Sequence, residues 1–154
     1  MTPMKERDNP HQKLLQLLDC YLEADPAGEI RRWAGAGWPA GGDMDEAGLK
    51  YIALVLLDSI GSGADKAVLE MGCPALVDAG DDRHMLAAAP ESMLARGLEL
   101  VREMCGLAGA ARGDGLLMLG LGSDSLELML HKSEGLHIFY FPRFPAGSGA
   151  AAVE

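Results

Sequence analysis

A glycine- and serine-rich stretch, GLGSDS at residues 120–125, interrupts two apolar segments and is the sharpest candidate for ligand chemistry in the sequence. A phosphate-binding loop of the dinucleotide type needs a strand, the pattern G-x-G-x-x-G and a following helix, whose N-terminus attracts the anion. Gly120 and Gly122 match this pattern, but Ser125 occupies the third position and Asp124 would repel a phosphate. The Walker pattern GxxxxGK[ST] does not occur in the chain. We therefore interpret GLGSDS as the turn of a β-hairpin.

The histidines do not have the spacing of a metal or catalytic site. The four are His11, His84, His131 and His137, and none forms an HxxxH or HxH pair. His131 and His137 flank one predicted turn and could face each other across a hairpin, but two ligands fall short of the three or four that zinc usually takes. The sequence therefore predicts no metal, no cofactor and no catalytic residue.

Composition and charge limit the classes of partner. The chain of 154 residues carries a formal net charge of −10, which disfavours nucleic acid and anionic membrane surfaces as partners. The acidic surface is either simply solvated or suited to a basic protein. The three cysteines are widely spaced and odd in number, the pattern of a reducing compartment. With no apolar signal core near the N-terminus and no run long enough to span a bilayer, we expect a cytoplasmic protein.

Two capping signals predict helices near the N-terminus. Asn9-Pro10 and Asp25-Pro26 each place a capping side chain before a proline in the first helical turn. The stretch GAGWPAGG at residues 35–42 then breaks the helical pattern, and we interpret it as a linker held by Trp38. Residues 1–42 are thus predicted to be a helical extension and linker that precede an α+β domain at residues 43–144.

The next predicted helix is apolar almost all round. Leu49, Ile52 and Leu56 recur at helical spacing, while Tyr51, Leu54 and Val55 make the opposite side apolar too. Such a helix is either buried in the centre of the domain or shared with a partner. We predict the second, and place a partner-binding surface at Tyr51, Leu54, Val55 and Trp38.

The remaining pattern predicts strands and one more helix. Strand-like segments occur at residues 66–71 and 75–77, with residues 83–86 able to extend the sheet; Pro90 opens a helix, and three further strands close the domain. Residues 124–131 fit either a strand or a helix face, and the turns around them favour a three-stranded meander. The predicted fold class is α+β: N-terminal helices, then α-β-β-α-β-β-β, with helices packed on an antiparallel sheet. Residues 145–154 are predicted to be a disordered tail.

Four segments resemble a known family at the level of the fold: GAD at residues 63–65 before AVLE, ALVDAG at 75–80, GDGLLMLGLG at 113–122 and SEGLHIFYFPR at 133–143. They resemble the non-catalytic N-terminal domain of type II secretion and type IV pilus assembly ATPases. The Ser and His of that family's first motif and the arginine before its hairpin aspartate are missing here, and so is the ATPase core. The element order also resembles that of roadblock-type regulatory domains. Both resemblances imply a small interaction module.

These observations predict a non-enzymatic cytoplasmic protein–protein interaction module that self-associates or docks on a larger assembly. The alternative is a small-ligand or metal-binding protein or enzyme with a pocket between sheet and helices. Its candidate lining residues are His84, His131, His137, Cys73 and Trp38.

Overall fold

The computed structural model describes residues 9–38, 44–121 and 124–142, which form four helices and a six-stranded antiparallel sheet. The helices are α1 (Pro10–Cys20), α2 (Pro26–Ala36), α3 (Met44–Gly61) and α4 (Glu91–Met104). The strands are β1 (Lys66–Glu70), β2 (Ala75–Asp78), β3 (Arg83–Leu86), β4 (Arg112–Leu121), β5 (Asp124–Ser133) and β6 (Leu136–Tyr140). The predicted α+β class is confirmed, with β3 as an additional strand of the sheet. The tail at residues 145–154 and residues 39–42 of the predicted linker lie outside the described residues.

The first two helices begin where the capping signals predict. The side chain of Asn9 accepts a hydrogen bond from the amide of Gln12, and Asp25 does the same for Gly28. Each cap satisfies one of the amide groups that have no partner at the start of a helix, which stabilises the helix by about 1 kcal/mol. His11 then ties α1 to the sheet, since its Nε2 lies 2.8 Å from the carbonyl oxygen of Met118 in β4.

Helix α3 lies in the centre of the domain. It packs against the other three helices and against β1 and β2, and its side chains are buried on all sides. Gly48 of α3 and Gly97 of α4 let the two backbones approach closely, because a Cβ built on Gly48 would lie 2.7 Å from the amide nitrogen of Gly97. Of the two explanations for an all-apolar helix, the structure shows central burial.

The last three strands form the predicted meander. In the pairing of β4 with β5, Leu121 lies opposite Asp124 and Leu116 opposite Met129. Residues 124–131 are therefore strand rather than helix, and the segment after GLGSDS has no helix N-terminus to offer a phosphate. The two residues at the tip of this hairpin, 122 and 123, lie outside the described part of the chain.

The sheet joins two hairpin systems at its centre. Its strand order is β3-β2-β1-β6-β5-β4, so the strand that opens the domain pairs with the strand that closes it. Lys66 of β1 lies opposite Tyr140 of β6, and Val68 lies opposite Ile138. This pairing places side chains from all six strands in continuous rows across both faces.

Candidate interaction surface

The two faces of the sheet have different surroundings. Successive side chains of a strand point to opposite faces, and directly paired residues of antiparallel strands share a face. On one face, Leu128, Leu130 and Phe139 are fully buried beneath the helices. We call this the inner face. The other face, which we call the outer face, is covered by none of the described helices.

The outer face is nevertheless apolar. The strand register places one row of side chains through Leu116, Met129 and Tyr140, and the next row through Ile138 and Val68. The second row stays apolar as far as β3, because Val68 pairs with Leu76 and Leu76 pairs with Met85, whereas the first row continues from Tyr140 into charged residues of β1, β2 and β3. We call the following set the outer patch: Val68, Leu76, Met85, Leu116, Met118, Met129, Leu136, Ile138 and Tyr140.

Exposure sets the outer patch apart from the rest of the described surface. Met85 is 63% exposed, Leu116 53%, Met118 50%, Met129 42% and Tyr140 40%. Among the residues that the structure describes, the other large hydrophobic side chain exposed to this degree is Leu22, which follows α1. Contiguous apolar patches of this kind mark interaction surfaces in soluble domains, whereas single exposed hydrophobic residues are ordinary.

Polar side chains border the outer patch on both sides. On the β4 side, Nδ1 of His131 lies 2.6 Å from a carboxylate oxygen of Asp114. On the β3 side, Nε of Arg83 lies 3.6 Å from a carboxylate oxygen of Asp78. A shallow depression of about 510 Å³ lies beside Tyr140 and reaches this second pair. Apolar side chains flanked by polar and charged ones are usual in a protein interface.

The predicted binding residues of α3 lie elsewhere. Tyr51, Leu54 and Val55 are fully buried within the chain itself, beneath the surrounding helices and the sheet, and so are not an exposed surface. Trp38 is half-buried, with its ring centroid 5.8 Å from that of Tyr51 and 4.9 Å from that of Trp33. The apolar ring around α3 thus reflects its central position in the domain.

Tyr51 is held by a polar contact inside the core. Its hydroxyl donates a hydrogen bond of 2.6 Å to the carbonyl oxygen of Ala87. Burial raises the pKa of Tyr51 to about 12, and a backbone hydrogen bond with Ala89 acts in the opposite direction. This tyrosine therefore links α3 to the segment between β3 and α4.

The histidines are spread over both faces of the sheet. His131 pairs with Ile138 and lies on the outer face, whereas His137 pairs with Lys132 and lies on the inner face. The expectation that His131 and His137 face each other is wrong, because the strand register offsets them by one residue. His84 contacts Asp58 of α3 at 2.5 Å, and Cys73 is exposed in a turn. Within residues 9–38, 44–121 and 124–142, no group of three or more His, Cys, Asp or Glu could hold a metal ion.

His137 belongs to a buried basic group at one end of the inner face. Its Nε2 lies 3.0 Å from a guanidinium nitrogen of Arg102 in α4, so Arg102 donates and His137 accepts. Lys132, beside it in β5, donates to the backbone carbonyls of Ala111 and Glu134. Burial, together with the charges of Arg102 and Lys132, lowers the pKa of His137 to about 4, and a backbone hydrogen bond with Gly135 opposes the shift. This arrangement keeps the imidazole neutral and fastens α4 to the sheet.

One cleft lies at the end of the sheet nearest the C-terminus of α3. It has a volume of about 260 Å³ and is lined mainly by apolar side chains, among them Ile60, Leu126 and Phe141, with Asp65 beside them. None of the histidines or cysteines lines it. The cleft thus does not bring together the residues predicted for a ligand site.

Sequence reasoning missed the outer patch, although its signal is present. Strands that have one face in water alternate between apolar and polar residues. Here LLML at residues 116–119 is apolar at every position, and ALVD at 75–78 is apolar at three of four. Such strands are typical of sheets that are covered on both faces.

No described helix is both long and apolar enough to cross a membrane. Comparisons with protein-family models and with curated proteins found no match to this chain.

Proposed function

We propose that this protein is a non-enzymatic cytoplasmic protein–protein interaction module that binds its partner through the outer face of the sheet. The observation that carries the proposal is the outer patch, which spans all six strands and is left open by the described helices. Covering such a surface with a partner is favourable, at roughly 25 cal/mol for each Å² of apolar area removed from water. The partner is then either a second copy or a component of a larger assembly.

Two further features support a binding role in a reducing compartment. The cysteines Cys20, Cys73 and Cys105 are all free thiols. Three methionines, Met85, Met118 and Met129, supply much of the exposed area of the outer patch. Methionine is flexible and polarisable, so it adapts to the shape of a partner better than branched side chains do.

The alternative is a small-ligand or metal-binding protein, and the cleft beside Ile60 and Phe141 is the feature that favours it. Native mass spectrometry of the purified protein tests this alternative. A stoichiometric metal or organic ligand on the chain would favour it over the interaction module, and the unmodified mass would count against it.

The proposed function is tested by site-specific photo-crosslinking in the cells that make the protein. A photoreactive amino acid at Met118 probes the outer face, and the same amino acid at Ala95, which is exposed on α4, is the matched control. We expect a discrete protein adduct from Met118 and none from Ala95, with loss of the adduct when Met129→Asp is added. No adduct at Met118, or the same adducts at both positions, would contradict the proposal. The mass of the adduct also shows whether the partner is this chain or another protein.

A further inference from the structure

We infer that the occupant of the outer face is a second copy of this chain, packed sheet against sheet about a two-fold axis. This inference rests on the proposed function and adds the identity of the partner. It depends on the size of the face, on its charge and on the positions of the charged side chains at its two ends.

The size of the face suits a small dimer. Strands lie about 4.8 Å apart and rise about 3.3 Å per residue, so the 38 residues of the six strands cover a projected area of about 600 Å² on one face. Because side chains protrude, the accessible area exceeds this projected area and approaches the ~800 Å² that each partner contributes to a standard interface. A sheet that packs on its copy gives each strand a second covered face, as in a β-sandwich.

The charge of the face permits two copies to meet there. The charged outer-face side chains of the six strands are three bases and four acids, so this face is nearly neutral although the whole chain carries −10. The bases are Lys66, Arg83 and Arg112, and the acids are Glu70, Asp78, Asp114 and Glu127. Most of the net negative charge therefore lies elsewhere and would oppose contact through other surfaces of two copies.

The two edges of the outer face differ in charge. On the outer face the edge strand β3 carries one base, Arg83, whereas β4 and β5 together carry Asp114, Glu127 and Arg112 and are net acidic by one charge; β1 and β2 together are also net acidic by one charge. A two-fold axis that runs parallel to the strands places β3 of one copy over β4 of the other. The Arg83 edge of each sheet then lies over the net acidic end, β4 and β5, of its partner.

The test is the mass of the purified full chain in solution, measured by light scattering during gel filtration over a wide dilution series. We expect a dimer that dissociates on dilution. Met129→Asp places a charge in the middle of the outer patch and is expected to weaken association at least about tenfold, because an unpaired carboxylate would be buried. The matched control is Leu22→Asp, which adds the same charge to an equally exposed hydrophobic position away from the sheet.

The mass measurements on the wild type and the two variants either support the dimer or overturn it. A dimer that is lost in Met129→Asp and kept in Leu22→Asp supports the inference. A wild-type chain that stays monomeric throughout overturns it, as does a dimer that Met129→Asp leaves unchanged. A monomer would leave the proposed function standing if the crosslinked adduct at Met118 contained another protein. Circular dichroism confirms that each variant folds, and Met118→Asp on the edge strand replaces Met129→Asp if that variant does not fold.

A charge swap tests the orientation of the two copies. Arg83→Glu is expected to weaken the dimer by about two- to fivefold, the range of an exposed ion pair. Adding Glu127→Arg to the same chain returns opposite charges to the two ends and is expected to restore affinity. If the double variant associates more weakly than Arg83→Glu alone, the ends do not face each other and the parallel two-fold arrangement is wrong.

Discussion

The two faces of the sheet are both apolar, but the helices that the structure describes cover the inner face and none of them covers the outer face. Leu128 and Leu130 point inward and are fully buried, whereas their neighbour Met129 points outward and is 42% exposed. The same strand thus carries apolar side chains toward a core and toward an open surface. An apolar strand pattern therefore indicates how many faces of a sheet must be covered. The tertiary structure shows which of these faces the described helices cover.

The largest difference in stability is expected between an acidic substitution in α3 and an acidic substitution on the outer face. Leu54→Asp buries a carboxylate inside the helical layer, which costs several kcal/mol, comparable with the total stability of about 5–15 kcal/mol. Met129→Asp alters the free energy of unfolding of the monomer by at most about 1 kcal/mol. We expect the first variant not to fold and the second to fold, as measured by circular dichroism and urea unfolding. Folding of Leu54→Asp would mean that α3 is not central.

The stability of the fold should also depend on pH through His137 on the inner face. The folded pKa of His137, about 4, lies below the ordinary value of 6.5, so the unfolded chain binds a proton more readily. Above pH 6.5 the imidazole is neutral in both states and this effect is absent. As the pH falls from 6.5 toward 4, protonation of the unfolded chain lowers the free energy of unfolding, by at most about 3 kcal/mol. We expect His137→Gln to reduce this loss and His131→Gln to keep it, measured by urea unfolding across that range. Equal pH profiles for the two variants would contradict the assignment.

The close contact between the backbones of α3 and α4 predicts that a single added methyl group lowers the stability of the fold. In Gly48→Ala the new Cβ would lie 2.6 Å from the carbonyl oxygen of Met93, so α3 and α4 must move apart, at a cost of about 1–3 kcal/mol. Gly61→Ala, at the end of the same helix, meets nothing within 4 Å and should be neutral or slightly stabilising. Thermal unfolding of both variants checks the contrast, and equal melting temperatures would show that the two helices do not cross at Gly48.

The smallest effect concerns one hydroxyl group in the core. Tyr51→Phe removes the hydrogen bond to Ala87 and leaves a carbonyl oxygen without this donor, which we expect to cost about 1 kcal/mol in urea unfolding. The variant also lacks the alkaline loss of stability of the wild type, which develops between pH 10 and the folded pKa of about 12. A wild type and variant that lose stability in parallel over this range would show that Tyr51 is not held in the interior.

Much of the fold could be predicted because its signals are local. The caps at Asn9 and Asp25 act within three residues, and the turns around the closing strands act within the hairpins themselves. The central helix was predicted correctly as a helix, yet its surroundings were not. Periodicity shows that α3 is apolar all round, but it does not distinguish a helix surrounded by its own chain from one shared with a partner.

The sequence by itself determined the α+β class, the helix starts, the closing meander and the lack of a phosphate-loop pattern, because each depends on residues near one another in the chain. Only the tertiary structure decided that Tyr51, Leu54 and Val55 are interior and that the outer patch is left open by the described helices. Which side of a strand is covered depends on register and on where distant helices pack, and a shift of one residue would exchange the two faces. The histidines follow the same rule, since the register puts His131 and His137 on opposite faces and the helices cover the face of His137.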